Sequence, residues 1–101
     1  MIDKKFIGYT QPPTLWDVEK GRIAFFAKVI GAKDPIYTDV EAARAAGYRN
    51  VMAPPTFIFG AEGDSGAMMQ LIETLNIDLG KVLHGEQRFD YYAPVCAGDT
   101  L

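Results

Sequence analysis

The sequence is poor in the residues that build disulfide-bonded or metal-bound frameworks. It has one cysteine, Cys96, and one histidine, His84, among 101 residues. A lone cysteine cannot form an internal disulfide, which suits a reducing compartment and predicts a cytoplasmic protein. One cysteine and one histidine fall short of the four ligands of a zinc site, so we expect no metal and no metal cofactor.

Long apolar runs and an excess of positive charge are absent as well. No stretch approaches the roughly 18 apolar residues of a membrane span, and residues 1–5 lack the apolar centre of a signal peptide. The formal net charge is -3, which argues against nucleic acid as a partner. Hydrophobic residues make up 49% of the chain, which is enough for the core of one soluble domain.

The first helix is predicted over residues 18–30. Its apolar residues recur at i, i+3, i+4 and i+7, which places them on one face of a helix: Ile23, Phe26, Ala27 and Ile30. Asp17 is the expected N-cap, and Gly31 is the expected left-handed C-cap.

A short second helix is predicted over residues 39–46. Thr38 and Glu41 have the spacing of a capping box at its start, and Gly47 is expected to end it. Between the two helices lies a loop, residues 32–37, which Pro35 stiffens.

Two further apolar helices are predicted in the middle of the chain. The first begins at Pro55, because a proline at the start of a helix loses no hydrogen bond, and it continues through Ala61. Residues 62–66 form a break. The second helix carries Met68, Leu71, Ile72 and Leu75 and ends near Asn76.

The period then changes from helical to alternating. Residues 82–92 alternate between apolar and polar side chains and predict one long strand, which Pro94 closes. A turn at residues 97–99 leads into Thr100, the start of a next strand. A single long strand cannot satisfy its own backbone groups, so we expect this chain to be the front part of a longer domain, or another chain to supply strands.

Three motifs in order resemble the MaoC-like dehydratases, which are the (R)-specific hydratases. They are residues 26–43, then Ala53-Pro54-Pro55-Thr56-Phe57, and finally residues 83–91 with 94–101. The closest subgroup is the N-terminal, FAS1-like dehydratase half. The resemblance implies an α+β hot-dog fold, an antiparallel sheet around a central helix, with residues 1–101 as one incomplete hot-dog domain that holds the front portion.

The catalytic loop of that family reads Gly-Asp-x-Asn-Pro-Leu/Ile-His, and residues 31–37 correspond to it. The resemblance implies that the family's Asp and His bind one water and act as general base and acid beside a thioester. Here Ala32 stands at the Asp position, Asp34 at the Asn position and Tyr37 at the His position. Alanine has no proton to transfer, and a phenol is a poor base at neutral pH. We therefore expect no catalytic residue and no activity of the chain alone.

Six residues are predicted to contact substrate, each with a competing structural interpretation: Asp34, Tyr37, Pro55, Thr56, Phe57 and His84. Asp34 and Tyr37 form either an alternative acid/base pair or, as we favour, a loop cap and a space-filling ring. His84 is a general base beside Glu86 or, as we favour, a structural histidine. At Pro55 the alternatives are balanced: free N–H groups that hold a thioester carbonyl, or plain helix initiation.

Two larger groups of residues also have both a functional and a structural interpretation. Some apolar side chains line an acyl tunnel or, as we favour, form ordinary core: Phe57, Phe59, Met68, Met69 and Leu71. Four basic residues meet the phosphates of coenzyme A or an acyl-carrier arm or, as we favour, are solvated surface: Arg44, Arg49, Lys81 and Arg88.

The favoured function is a non-catalytic, acyl-thioester-binding half of a (3R)-hydroxyacyl dehydratase or (R)-specific enoyl-thioester hydratase. Its substrate is a coenzyme A or acyl-carrier thioester, and it needs no cofactor. It is expected to form a homo- or heterodimer with another hot-dog subunit or domain. Two alternatives remain: an active hydratase that uses non-standard residues, and a hot-dog assembly protein without catalysis. A continuous apolar tunnel ending at Tyr37 and Thr56 would separate binding from assembly, because a solid core there favours assembly.

Overall fold

Short helices are the main regular structure of the computed structural model, which describes residues 1–101. The α-helices are α1 (Lys20–Val29), α2 (Val40–Ala45), α3 (Gly60–Asp64) and α4 (Ala67–Thr74). Single turns of 3-10 helix lie at Lys4–Phe6, Pro35–Tyr37, Phe57–Phe59 and Leu79–Lys81. None of the helices has the length and apolar character to cross a bilayer.

Three of the helices end in the same hydrogen-bonded motif, as their sequences predict. After α1 the N–H of Ala32 donates to the Ala27 carbonyl at 2.9 Å, and that of Gly31 donates to the Lys28 carbonyl at 3.2 Å. This is a Schellman motif, which needs a left-handed residue after the helix. Gly31 supplies it with φ 73°; after α2 and α4 the left-handed residues are Gly47 and Asn76.

The starts of the first two helices differ from the prediction. Asp17 does not cap α1; its carboxylate accepts a hydrogen bond from the Thr100 hydroxyl at 2.8 Å, and the helix begins two residues later. The cap of α2 is Asp39, which accepts from the N–H of Glu41 at 2.9 Å, so the capping box that starts at Thr38 is wrong. A carboxylate one residue nearer the helix reaches the free N–H groups better than the threonine does.

The middle helix, predicted from Pro55 through Ala61, is also divided differently, and Phe57 is its only buried residue. Residues 57–59 form a 3-10 turn that runs directly into α3, which continues to Asp64. The predicted break over residues 62–66 shrinks to Ser65 and Gly66, where Gly66 has φ 78°. The break therefore needs only one left-handed residue rather than a loop.

A narrow ribbon of three extended segments holds the chain together. Its middle segment is residues 95–101, whose first part pairs with residues 51–53 and whose last part pairs with residues 16–18. Trp16 and Leu101 exchange two backbone hydrogen bonds of 2.9 Å, and the Ala53 N–H donates to the Val95 carbonyl at 2.8 Å. The pairing is antiparallel, but it consists of isolated bridges, so the expected hot-dog sheet is not formed by these residues.

The core lies where this ribbon meets α1 and the start of the middle helix. Eight buried residues form one cluster: Trp16, Val18, Ile23, Val51, Ala53, Phe57, Val95 and Ala97. Aromatic rings carry much of this contact, since the centroid of Phe57 lies 5.2 Å from that of Trp16 and 5.5 Å from that of Phe26.

Residues 82–92, which we name the arm, do not form the predicted strand. They have no regular secondary structure and are almost entirely exposed, and no backbone N–H or C=O of residues 83–92 makes a backbone hydrogen bond. Side chains alone hold the arm to the body: the Tyr91 hydroxyl donates to the Pro55 carbonyl, and the His84 ring packs edge-on against Phe59. An alternating pattern alone does not make a β-strand, because a strand also requires a neighbouring strand to pair with.

The molecule is accordingly extended and exposes much apolar surface. Its radius of gyration is 16.3 Å, against about 13 Å for a compact domain of this size. The exposed surface is 7509 Å², whereas a compact chain of the same mass exposes roughly 5,700 Å².

Candidate functional site

The loop at residues 31–37 keeps its shape through backbone and capping contacts. Asp34 caps the turn at Pro35–Tyr37 by accepting a hydrogen bond from the Ile36 N–H at 3.0 Å. Tyr37 is half-buried and packs against the core cluster. The structure therefore places Asp34 at the surface and the ring of Tyr37 against the core, and no hydrogen bond joins their side chains.

The start of the middle helix lies beside the arm. The Phe57 N–H is already bonded to the Pro54 carbonyl at 2.9 Å, whereas the Thr56 N–H makes no hydrogen bond. The Pro55 carbonyl accepts from Tyr91, and burial raises the pKa of that tyrosine. The Ile58 N–H also has no partner, so two free N–H groups remain at this position.

An apolar groove of about 910 Å³ runs between the helices and the arm. Its floor is the face of α4 that carries Met68, Leu71 and Ile72, and Phe59 lies beside it. Its outer wall is the arm, from Val82 to Phe89. The groove is the size of a ligand pocket for a flexible apolar chain.

Two of the six predicted contact residues, Thr56 and His84, line this groove. Phe57 belongs to the core and to a smaller cleft, and Asp34, Tyr37 and Pro55 line neither cavity. The structure brings Thr56 and His84 to one groove but does not gather the other four there.

Only some of the apolar residues that were considered for an acyl tunnel line the groove. Phe59, Met68 and Leu71 line the groove, whereas Met69 is 53% exposed and lies on another face of α4. Neighbouring residues on a helix point about 100° apart, so the period of α4 predicts this division. Sequence reasoning missed several lining residues, among them Phe26, Glu62, Ile77, Val82 and Phe89.

The basic residues considered for phosphate binding are all paired with carboxylates. Arg49 pairs with Asp99, and Arg88 pairs with Asp90 at 3.1 Å. The remaining pairs are Arg44 with Glu41 at 3.7 Å and Lys81 with Asp78 at 3.9 Å. These pairs favour the interpretation of the four residues as surface charges.

A second, smaller cleft of about 400 Å³ lies on the other side of Phe59, beside α1. At its rim Arg22 pairs with Asp64 through two contacts, and the Trp16 indole N–H donates to the same carboxylate at 2.9 Å. The hydrogen bonds from Arg22, and then from Trp16, hold the pKa of Asp64 below its usual range. This cluster ties α1, α3 and the ribbon together.

No three potential metal ligands converge anywhere in the structure. The features that remain are the loop frame without its acid/base pair, the helix start at Pro55, and the apolar groove. Together these features agree with a domain of the dehydratase class.

The chain belongs to the FAS1-like dehydratase domain region family, whose model matches residues 5–101. It is 42% identical over 101 residues to a UPF0336 protein of Streptomyces avermitilis and 39% identical to one of Saccharopolyspora erythraea. These alignments cover 99% of this chain and 67% and 65% of the relatives, so the chain spans about two thirds of their length.

A solved structure supports the same assignment. The chain resembles one from a crystal structure of C-terminally truncated HadBC, a (3R)-hydroxyacyl-ACP dehydratase complex of Mycobacterium tuberculosis, with a TM-score of 0.74 and 25% identity. The likeness covers 88% of this chain and 65% of that one. It supports the predicted hot-dog fold, although this chain forms only the ribbon and the helices and not the sheet.

Proposed function

We propose that this chain is the non-catalytic, acyl-thioester-binding half of a (3R)-hydroxyacyl dehydratase or (R)-specific enoyl-thioester hydratase. The observation that carries the proposal is the apolar groove, which reaches Thr56 at the start of the middle helix. An acyl chain would lie against Met68 and Leu71, and the thioester carbonyl would lie near Thr56.

The residues at the loop support a binding role rather than catalysis. Ala32 has no ionisable side chain, and Tyr37 packs against the core instead of lining the groove. A partner hot-dog subunit or domain would therefore supply the Asp/His pair. The HadBC neighbour is a complex of subunits, which is consistent with such a division of labour.

A second candidate, a hot-dog assembly protein without catalysis, is favoured by one specific observation. The groove reaches Thr56 but not Tyr37, so the core is solid at the loop. An assembly protein is not expected to bind acyl chains in this groove. A measurement of acyl-thioester binding therefore separates the two candidates.

The decisive measurement is calorimetric titration of the purified chain with acyl-coenzyme A of increasing chain length. Leu71→Trp fills the groove and should weaken binding by about tenfold or more, because the acyl chain loses its apolar contact area. Met69→Trp is the matched control, since it adds the same side chain to the same helix outside the groove.

Hydration of crotonyl-coenzyme A by the chain alone should be undetectable. Turnover that disappears in Tyr37→Phe would instead establish an active hydratase with a non-standard residue. Absence of thioester binding at any chain length, or equal effects of the two tryptophan variants, would favour the assembly role.

A further inference from the structure

Phe59 forms the wall between the two cavities. It lines both the groove of about 910 Å³ and the smaller cleft of about 400 Å³, and the only other residue that lines both is Phe26. Phe26 packs against the core cluster, whereas Phe59 is 37% exposed and lies outside that cluster. Phe59 is therefore the side chain that can be removed to join the two cavities while the core stays packed.

The position of Phe59 relative to Thr56 is fixed by one turn of 3-10 helix. The Phe59 N–H donates to the Thr56 carbonyl at 3.2 Å. Side chains three residues apart in such a turn lie on the same side, roughly 6 Å apart along the axis. If the thioester carbonyl lies near Thr56, as in the proposed function, the Phe59 ring lies beside the first carbons of the acyl chain.

His84 packs against the Phe59 ring from the arm. The two ring centroids are 5.6 Å apart and the ring planes are inclined by 78°. This edge-to-face arrangement is one that aromatic pairs prefer. The contact holds the Phe59 ring at the boundary between the two cavities.

The cleft behind Phe59 is lined by aromatic rings and is open because residue 60 has no side chain. A Cβ atom at Gly60 would lie 3.9 Å from Cζ2 of Trp16, which is an ordinary contact, so a side chain fits there without strain. Trp16, Phe25 and Phe57 line the rest of the cleft. Such a cleft suits a further aromatic ring, because aromatic pairs gain energy beyond the area that they bury.

We propose that Phe59 is a specificity-determining residue that restricts the groove to acyl chains that are linear near the thioester. The inference rests on the proposed function, since it assumes an acyl thioester in the groove. The ring of Phe59 keeps the first carbons of the chain out of the cleft. In its absence a bulky substituent close to the thioester, such as a phenyl group, enters the cleft and packs against Trp16 and Phe25.

Calorimetric titration of the purified chain with two thioesters of equal carbon number tests this restriction. The thioesters are nonanoyl-coenzyme A, which is linear, and 3-phenylpropanoyl-coenzyme A, which has a ring near the thioester. The wild type should bind the linear thioester more tightly. Phe59→Ala should reduce this preference by about tenfold or more, because the phenyl ring gains a buried apolar site.

Two further variants separate the wall from its surroundings. Phe25→Ala makes the same change at a residue that lines only the cleft and is 70% exposed, so it should keep the wild-type preference. Phe59→Ala/Gly60→Leu refills the cleft from the neighbouring residue and should restore that preference.

Trp16 provides a direct signal from the cleft. It is the only tryptophan of the chain, and it lines the cleft but not the groove. Its fluorescence should change when 3-phenylpropanoyl-coenzyme A binds to Phe59→Ala. It should stay constant when nonanoyl-coenzyme A binds to the wild type.

Several outcomes would overturn the role of Phe59. They are a wild type that prefers the phenyl thioester, an equal loss of affinity for both thioesters in Phe59→Ala, the same change of preference in Phe25→Ala, a preference that Gly60→Leu does not restore, or a silent Trp16. In each of these cases the wild type still binds acyl thioesters, and the proposed function stands. A wild type that binds neither thioester would refute the proposed function and this inference together.

Discussion

The ribbon segment at residues 95–101 and the arm at residues 82–92 are close in sequence, yet they have opposite environments. Val95, Cys96 and Ala97 are at most 9% exposed, and their segment has a backbone partner at each end, residues 51–53 and residues 16–18. Leu83 and Tyr92 are more than 90% exposed, and the arm has no backbone partner. Only two residues, Ala93 and Pro94, separate the two segments along the chain.

The difference shows what converts an extended chain into ordered structure. The ribbon segment is fixed by a turn in which Gly98 has φ 91° and Asp99 accepts a hydrogen bond from the Cys96 N–H at 2.9 Å. Arg49 holds the same carboxylate from the neighbouring segment. The arm has an equally regular sequence but no comparable turn or carboxylate contact. Burial and backbone pairing therefore decide whether a segment becomes ordered, rather than strand propensity.

The largest contrast between the two regions should appear on truncation of apolar side chains. Ile23→Ala removes a fully buried side chain beneath the ribbon and should lower the free energy of unfolding by about 2–5 kcal/mol. Leu83→Ala in the arm should change it by less than about 0.5 kcal/mol. Urea denaturation followed by circular dichroism measures both, and similar costs would mean that the arm is packed in solution.

Removal of the Asp99 carboxylate, which fixes the turn of the ribbon, should have an intermediate effect on the free energy of unfolding. Asp99→Ala leaves the Cys96 N–H without its acceptor and should cost about 1–3 kcal/mol, because hydrogen bonds to a charged group are strong. Lys81→Ala breaks an exposed pair of 3.9 Å and should cost less than about 0.5 kcal/mol. Equal losses in these two variants would show that the turn holds without its carboxylate.

The pH dependence of stability should show the smallest effect. Hydrogen bonds from Arg49, and then from the Cys96 N–H, hold the pKa of Asp99 below its usual range. A carboxyl whose pKa is depressed on folding stabilises the fold above the unfolded-state pKa of about 4, and this contribution is lost as pH falls toward the folded value. The melting temperature should therefore decline below about pH 4. Asp99→Asn should flatten that decline, and an unchanged slope would assign it to other carboxyls such as Asp64.

The sequence correctly predicted those features of the fold that depend on single residues or short segments. The ends of three helices follow from Gly31, Gly47 and Asn76, because left-handed backbone is a property of single residues. It failed where two distant segments meet. Nothing local shows that Thr100 occupies the Asp17 carboxylate, and that contact displaces the start of α1.

In the candidate site, too, the features set by local sequence were predictable and those set by long-range contacts were not. Helical period separates Leu71 from Met69 and predicts one wall of the groove. The opposite wall could not be predicted, because the arm reaches its place through long-range contacts such as that between Tyr91 and Pro55. The family motif identified the loop, and the favoured interpretation of Asp34 as a loop cap and Tyr37 as a space-filling ring agrees with their contacts.

The self-contained geometry of the loop at residues 31–37 has an evolutionary consequence. Its shape depends on the left-handed Gly31, on the carboxylate of Asp34, and on the Ile36 carbonyl, which accepts from the Met52 N–H at 2.9 Å. The side chain at position 32 takes no part in these contacts. Selection for stability therefore acts weakly on that position, and a lineage can gain or lose a carboxylate there while the fold stays under selection at its neighbours.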